Sequence, residues 1–275
     1  MSFENYAELL PLVTNSLIAG AALGLVGGVI GIFVMMRDMA FAVHGIAELS
    51  FAGAAFALLI GADVVTGSVI GSLVAALVLG VLGTRARDRN SITGVLMPFG
   101  LGLGILFLAL YQGRSANKFG LLTGQIVAVD DTQLGAMLFL SVLVLGALVV
   151  MWRPLMFASV DPVVARARGV RTGGLSIAFM VVLALAVAMA IQVVGALLVL
   201  ALLITPAAAA LRVGRTPLST VVLSVVFALS AVLGGILLAL AGSLPISPYV
   251  TTISFVIYLV CRVVEKLRSV QRHQV

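Results

Sequence analysis

Residues 174–212 read GLSIAFMVVLALAVAMAIQVVGALLVLALLITPAAAALR, with no charged side chain before Arg212. A helix needs only about twenty apolar residues to cross the hydrocarbon of a bilayer, so a block nearly twice that length reads as two crossings. Length alone sets the division, at 192/193. The pattern recurs on either side: apolar stretches at 10–36, 39–60, 64–84, 92–112, 132–152, 217–242 and 246–265 are separated by short polar punctuation, which makes nine candidates with the divided block. With 62% hydrophobic and 9% charged residues, the 275-residue chain has too few polar side chains to cover a water-facing surface, and soluble enzyme folds are excluded. The fold class expected is all-α, a polytopic transmembrane helical bundle forming a single domain over residues 1–275.

The formal charge of +6 would suggest nucleic acid in a soluble protein, but here its distribution reports orientation, and no nucleic-acid partner is expected. With the N-terminal side of the first segment outside, fourteen of the sixteen Lys and Arg residues fall on the cytoplasmic side and only Arg114 and Lys118 fall outside. The expected arrangement is therefore a multi-pass membrane protein with a cytoplasmic C-terminus. No basic stretch precedes the first apolar run, so that segment is expected to be retained rather than cleaved. The single cysteine, Cys261, permits neither an internal disulfide nor a cysteine metal cluster. Glycines at four-residue spacing, such as Gly20, Gly24 and Gly28 or Gly67 and Gly71, let helix backbones approach closely in lipid.

Ionisable groups inside apolar spans are costly and persist where they face an interior pathway or a partner. His44 and Glu48, in the second segment, are such a pair: their i,i+4 spacing puts both on one helical face, with Glu48 near the midplane. An imidazole nitrogen and a carboxylate oxygen suit zinc or manganese, and two copies across a symmetric dimer would supply four ligands. The competing reading is a mutually hydrogen-bonded pair that fixes helix packing; a proton relay is a further option. Other chemistry is absent from the sequence. There is no G-x-x-x-x-G-K-[ST] phosphate loop, so any ATP must be hydrolysed by a partner. No H-E-x-x-H motif and no G-x-S-x-G elbow occur, the only other histidine being His273 in the tail.

The longest cytoplasmic connection, about 153–174, contains Ser159-Val160-Asp161-Pro162 followed by Val163-Val164-Ala165-Arg166-Ala167-Arg168-Gly169. Ser159 or Asp161 can cap, Pro162 suits a first helical turn and Gly169 can end it, which predicts a short interfacial helix. Composition by itself fits a solvated connector as well as a docking element.

These stretches together resemble the permease subunit of the zinc/manganese ABC transporter family, the metal-uptake importers that work with an extracytoplasmic binding protein. The resemblance spans nearly the whole chain. That family carries an Asp-x-x-x-His pair in its second segment, followed by a Gly-Val-Ala-like run; His44, Glu48 and Gly53-Ala54-Ala55 stand at those positions, with acid and imidazole exchanged. Asp161, Ala165 and Gly169 match the family's cytoplasmic coupling element, and Gly120 to Val129 fits its external Gly-x-Ile-x-Ala-Val stretch. The run from Gln192 to Ala208, including Gly195 and Pro206, is close to its Val-Gly-x-x-Leu-Val-x-Ala-Leu-Leu-Ile-x-Pro-Ala-Ala signature.

The resemblance implies a transport subunit, not an enzyme. It implies a homodimer in the bacterial inner (cytoplasmic) membrane that docks cytoplasmic ABC ATPase subunits and receives a divalent transition metal from an extracytoplasmic metal-binding protein; zinc ranks first because histidine suits it and the chain offers no oxygen-rich cage, with manganese next and iron third. Metal is then a passing substrate, with no permanently bound cofactor. Family members have eight or so spans, so eight to nine are expected, with 174–212 the place to look for a re-entrant segment. The alternative from another class is a proton-coupled secondary metal transporter that uses the intramembrane His/Glu pair without an ATPase, and a third reading is a structural membrane anchor.

Overall fold

A computed structural model describes residues 13–83, 86–113, 121, 129–195, 198–240 and 246–272. Eleven helices run through these residues: α1 Thr14–Met36, α2 Ala40–Ile60, α3 Val64–Leu82, α4 Ala86–Leu110, α5 Asp131–Val160, α6 Pro162–Ala167, α7 Thr172–Val194, α8 Val199–Leu203, α9 Thr205–Val213, α10 Pro217–Leu240 and α11 Ile246–Arg272. Arg85, Arg114, Lys118, the external stretch 122–128, Ala196, Leu197 and His273 lie outside the described residues, as do the side chains of Arg87 and Arg272.

Polar residues set the helix ends. The Asp63 carboxylate accepts from the Thr66 backbone N–H at 2.8 Å and starts α3, and Asp130 does the same for α5 through Gln133 N–H at 2.7 Å. Gly61, in the left-handed region at φ 73°, ends α2. Between those ends the spanning stretches are predominantly apolar on every face, as lipid and a shared interior require.

Among the described residues, eight helices are long and apolar enough to span a bilayer. The centre is formed by α1, α2 and α7: 67% of the most apolar window of α1 is buried, against 22% for α4, α5 and α11, which turn wide faces to lipid. Because lipid tails are as apolar as leucine, cohesion comes from close contact rather than from expulsion of water. Gly53 of α2 faces Gly67 and Gly71 of α3 so closely that a methyl at any of the three would strike the neighbouring backbone. Across the same interface Ser50 Oγ lies 2.8 Å from Ser68 Oγ, and Ser224 Oγ donates to Gly28 O at 2.7 Å between α10 and α1. Such interhelical bonds contribute about 0.6 kcal/mol each.

Contacts between helices show which ends lie together. Asn15 Nδ2 donates to Asp131 Oδ1, so α1 and α5 begin at the same end, while Arg89 reaches the Arg37 and Asp38 carbonyls at the other. The second half of the 174–212 block, which fails as a continuous span, still completes a crossing. Gln192 Nε2 approaches Val64 O at the outer end; Leu202 and Leu203 lie against Gly27 and Gly31 in the body of α1; Ala207 and Ala210 pack with Ile32 towards its cytoplasmic end. The segment is thus a broken ninth crossing and not a re-entrant loop. α10 then runs antiparallel to α1, from Ser224 at Gly28 to Ile236 at Gly20, and α11 returns to place Arg268 beside Val213 O. Arg37, Arg89, Arg166, Arg212 and Arg268 accordingly gather at one end, as the basic-residue asymmetry requires.

Helix α5 departs from the sequence expectation of a crossing that ends at 152. It continues through Pro154 to Val160, and thirty residues rise about 45 Å, well beyond the hydrocarbon thickness of about 30 Å. The extra turns carry the short helix α6 out to the cytoplasmic end. Ser159 is inside α5 and does not cap: its hydroxyl donates back to Leu155 O at 2.6 Å.

Candidate metal pathway and coupling element

His44 lies one turn into α2 and Glu48 one turn further, about 6 and 12 Å of rise from Ala40. Glu48 therefore stands close to the middle of the 21-residue helix, as its spacing predicted. Helix α4 crosses α2 at this level. Gly100 abuts the backbone of Glu48 and Leu49, and an added Cβ would stand 2.9 Å from the Glu48 carbonyl carbon. One turn nearer the cytoplasm, Gly45 meets Thr93. Small residues at the crossing thus hold α4 against the face that carries the pair.

The Glu48 side chain is only 8% exposed and that of His44 28%. His44 Nε2 stands 3.5 Å from Glu48 Oε1, while His44 Nδ1 and Glu48 Oε2 are buried with no hydrogen-bond partner among the described residues. A packing device would satisfy its polar atoms, as the neighbouring hydroxyls do: Ser50 pairs with Ser68, and Thr93 Oγ1 donates to Arg89 O at 2.8 Å. At 3.5 Å the contact is too long for a strong hydrogen bond. It does match the separation of two donors on one tetrahedral ion, about 3.4 Å for metal–ligand bonds of about 2.1 Å. Among the described residues no group of three or more His, Cys, Asp or Glu converges, so one chain offers two donors and leaves the rest of a coordination sphere to be supplied from elsewhere.

The predicted interfacial helix is α6. Asp161 Oδ1 accepts from the Val163 and Val164 backbone N–H groups at 3.0 and 2.9 Å, with Pro162 in the first turn. Ala165 is fully buried against the bundle, whereas Val163 and Val164 are exposed. Gly169 ends the helix at φ 86°, and Val170 N–H returns to Ala165 O at 3.0 Å. Among the described residues, its chain neighbours apart, no heavy atom lies within 4 Å of where a Gly169 side chain would begin, so the backbone conformation is what requires glycine there.

Gly195 precedes the broken crossing and Pro206 stands at its interruption. Gly195, at φ 75°, ends α7, and the buried Pro206 opens α9 after Ile204 separates it from α8. Two clusters went unread in the sequence. Arg212 donates to Glu265 Oε2 at 2.7 Å and to Tyr258 Oη at 2.9 Å, tying α9 to α11. Arg37 and Arg89 meet beneath the α1–α2 connection. In the sequence each of these arginines reads only as an orientation signal, and no local spacing links them to their partners.

The sequence model of the ABC 3 transport family matches residues 10–265. The manganese transport system membrane protein MntC of Halalkalibacterium halodurans is 32% identical over 222 residues, covering 80% of this chain and 76% of its own length. The high-affinity zinc uptake system membrane protein ZnuB of Haemophilus influenzae is 26% identical over 225 residues, covering 82% and 86%. Among solved structures the chain resembles PsaBC from Streptococcus pneumoniae in complex with Fab, with a TM-score of 0.84 and 25% identity over 94% of this chain and 95% of that one.

Proposed function

This chain belongs to the ABC 3 transport family, and from that premise we propose that it passes a divalent transition metal, manganese or zinc, inward along His44 and Glu48. It is a multi-pass permease of the bacterial cytoplasmic membrane and the transport subunit of an ABC importer. It is not an enzyme: ATP hydrolysis belongs to a separate subunit, and the family works with ATPase and substrate-binding partners. A proton-coupled exchanger that needs no ATPase therefore gives way as an alternative.

The observation that carries the metal reading is the pair itself: two donors 3.5 Å apart near the middle of a membrane helix, each with a second atom left unpaired. Since one chain supplies one nitrogen and one oxygen donor, we take a homodimer as the working unit, with His44 and Glu48 of both copies facing a common path. Relatives named for manganese and for zinc both support the substrate class, and manganese, the metal in the names of several, stands first. A closed four-ligand site would retain its ion as a structural site does, so ligation here is weak and transient. Metal arrives from the external binding protein, and no cofactor is held permanently.

Helix α6, presenting Val163 and Val164, seats against the ATPase, and ATP-driven movement passes through Ala165 to the ends of α5 and α7 as a rigid-body shift that separates the protomers. Uptake of radiolabelled manganese and zinc into cells or proteoliposomes containing the assembled transporter tests the reading. The His44→Ala, Glu48→Ala double variant should insert, retain its ATPase and transport neither metal. Transport at the wild-type rate would make the pair a packing feature and place the path elsewhere.

A further inference from the structure

At the cytoplasmic end a cavity of about 590 Å³ lies between the α1–α2 connection, the end of α3, the start of α4, the coupling helix α6 and the first turn of α7. Arg37, Arg89 and Arg166 line it, and Asp38 is the carboxylate among its lining residues. Arg89 is only 8% exposed. Its terminal nitrogen donates to the Arg37 and Asp38 carbonyls at 3.3 and 3.2 Å, but its Nε is buried without a partner. Arg37 rests 5.6 Å over the Phe179 ring, and its Nε is likewise buried and unpaired. Burial, and secondarily the neighbouring Arg89 guanidinium, hold the Arg37 pKa below the ordinary arginine range. A guanidinium does not give up its proton at neutral pH, so the demand for a countercharge remains.

The opposite wall adds to that demand. Helix α7 begins at Arg171 and Thr172 with no side-chain cap, and Gly173 of its first turn lines the cavity, so the positive end of a 23-residue helix faces the arginines. Deeper in the membrane the lining becomes apolar, with Leu79, Ile177 and Met180. Cationic groups at the interface above an apolar floor form an amphipathic slot at the depth of phospholipid head groups.

We propose that this cavity binds a phosphate-bearing anion, with Arg37, Arg89 and Arg166 surrounding the phosphate and the first turn of α7 behind it. The phosphodiester of an anionic phospholipid and a free phosphate share that chemistry. The apolar floor, which would seat an acyl chain, favours the lipid. Because Arg166 belongs to the coupling helix and Arg37 lies seven residues before His44, the bound anion bridges α6 to the entry of α2.

The test uses the full chain purified with its ATPase, stripped of lipid by detergent exchange. Native mass spectrometry follows titration with dioleoyl-phosphatidylglycerol or dioleoyl-phosphatidylcholine, and thermal shift follows titration with inorganic phosphate. About one anionic lipid per chain is expected, held in preference to the zwitterionic one, with binding about fivefold weaker in Arg37→Gln and in Arg166→Gln. Stabilisation by phosphate, lost in the variants and without selective lipid retention, would assign free phosphate as the source. Arg166 is on the exposed side of α6, so Arg166→Gln carries the test should Arg37→Gln fail to assemble. The proposal is overturned if the wild type shows neither anionic-lipid preference nor a phosphate response, or if the assembled variants bind as the wild type does.

Discussion

The membrane-centre pair and the cytoplasmic arginine cavity both contain buried polar atoms that the chain leaves unpaired, but they are assembled in opposite ways. His44 and Glu48 come from a single helix, one turn apart, and their meeting needs nothing beyond helical periodicity. Arg37, Arg89 and Arg166 come from three separate elements and meet only because α1, α4 and α6 end at one level. A local pair keeps its geometry as long as its helix persists, whereas a convergent site changes whenever one of its elements moves. Passing a substrate suits the first arrangement; sensing the position of the coupling helix suits the second.

The largest effect should separate the two at once. His44→Ala or Glu48→Ala should each abolish metal uptake, with membrane insertion and ATPase association intact, while Glu48→Asp should keep part of it; uptake assays on vesicles of matched permease content decide. Next in size is Gly100→Val, which leaves the donors in place but adds a Cβ 2.8 Å from Leu49 Cδ1 and 2.9 Å from the Glu48 carbonyl carbon. Overpacking of that kind costs about 1–3 kcal/mol, and a lowered melting temperature together with reduced uptake is expected. A wild-type melt with normal uptake would mean that α4 does not hold the pair's position.

On the cytoplasmic side, Gly169→Val forces a β-branched residue to φ 86°, at a cost of about 1–2 kcal/mol. Co-purified ATPase should fall several-fold while His44 and Glu48 stay unaltered, and stoichiometric ATPase would remove this turn from the coupling route.

How much of this was legible in the sequence depends on how far apart the cooperating residues lie. Asp161 and Gly169 bound α6 as their spacing predicts, because each acts on its own backbone, whereas length alone divides the 174–212 block and does not reveal the interruption at Ile204. Helix α5 runs eight residues past the expected end of its crossing: Trp152-Arg153-Pro154 has the composition of a boundary, yet a helix that leaves the hydrocarbon can continue in the interface where its freed backbone groups meet polar partners. The Arg212–Glu265 contact joins residues 53 positions apart, and the Arg89–Arg37 contact 52. No periodicity within one helix encodes either of them.

The smallest effect is a control that touches neither site. The Thr66 hydroxyl donates to the Asp63 carboxylate and, against a smaller opposing effect of burial, holds its pKa below the usual carboxylate range. A depressed folded pKa contributes stability that is present above the unfolded value of about 3.9 and is lost as pH falls through the folded value. Asp63→Asn, which keeps a capping oxygen, should leave the stability near pH 7 within about 0.5 kcal/mol of wild type and flatten the decline of the melting temperature below about pH 4. Thermal melts across that range check it, and uptake should not change.

The broken crossing from Gly195 to Val213 also decides on which face of the cell anything joined to this chain will be found. Among the described residues, eight continuous helices alone would return the polypeptide to its starting side; the interrupted one makes the number odd, and with the basic ends on the cytoplasmic side α11 points inward while α1 starts from outside. A fluorescent reporter joined after α11 would mature in the reducing cytosol beside the nucleotide-hydrolysing partner, whereas one placed ahead of α1 would have to be exported unfolded. A hydropathy count that misses the interrupted helix assigns both reporters to the same compartment.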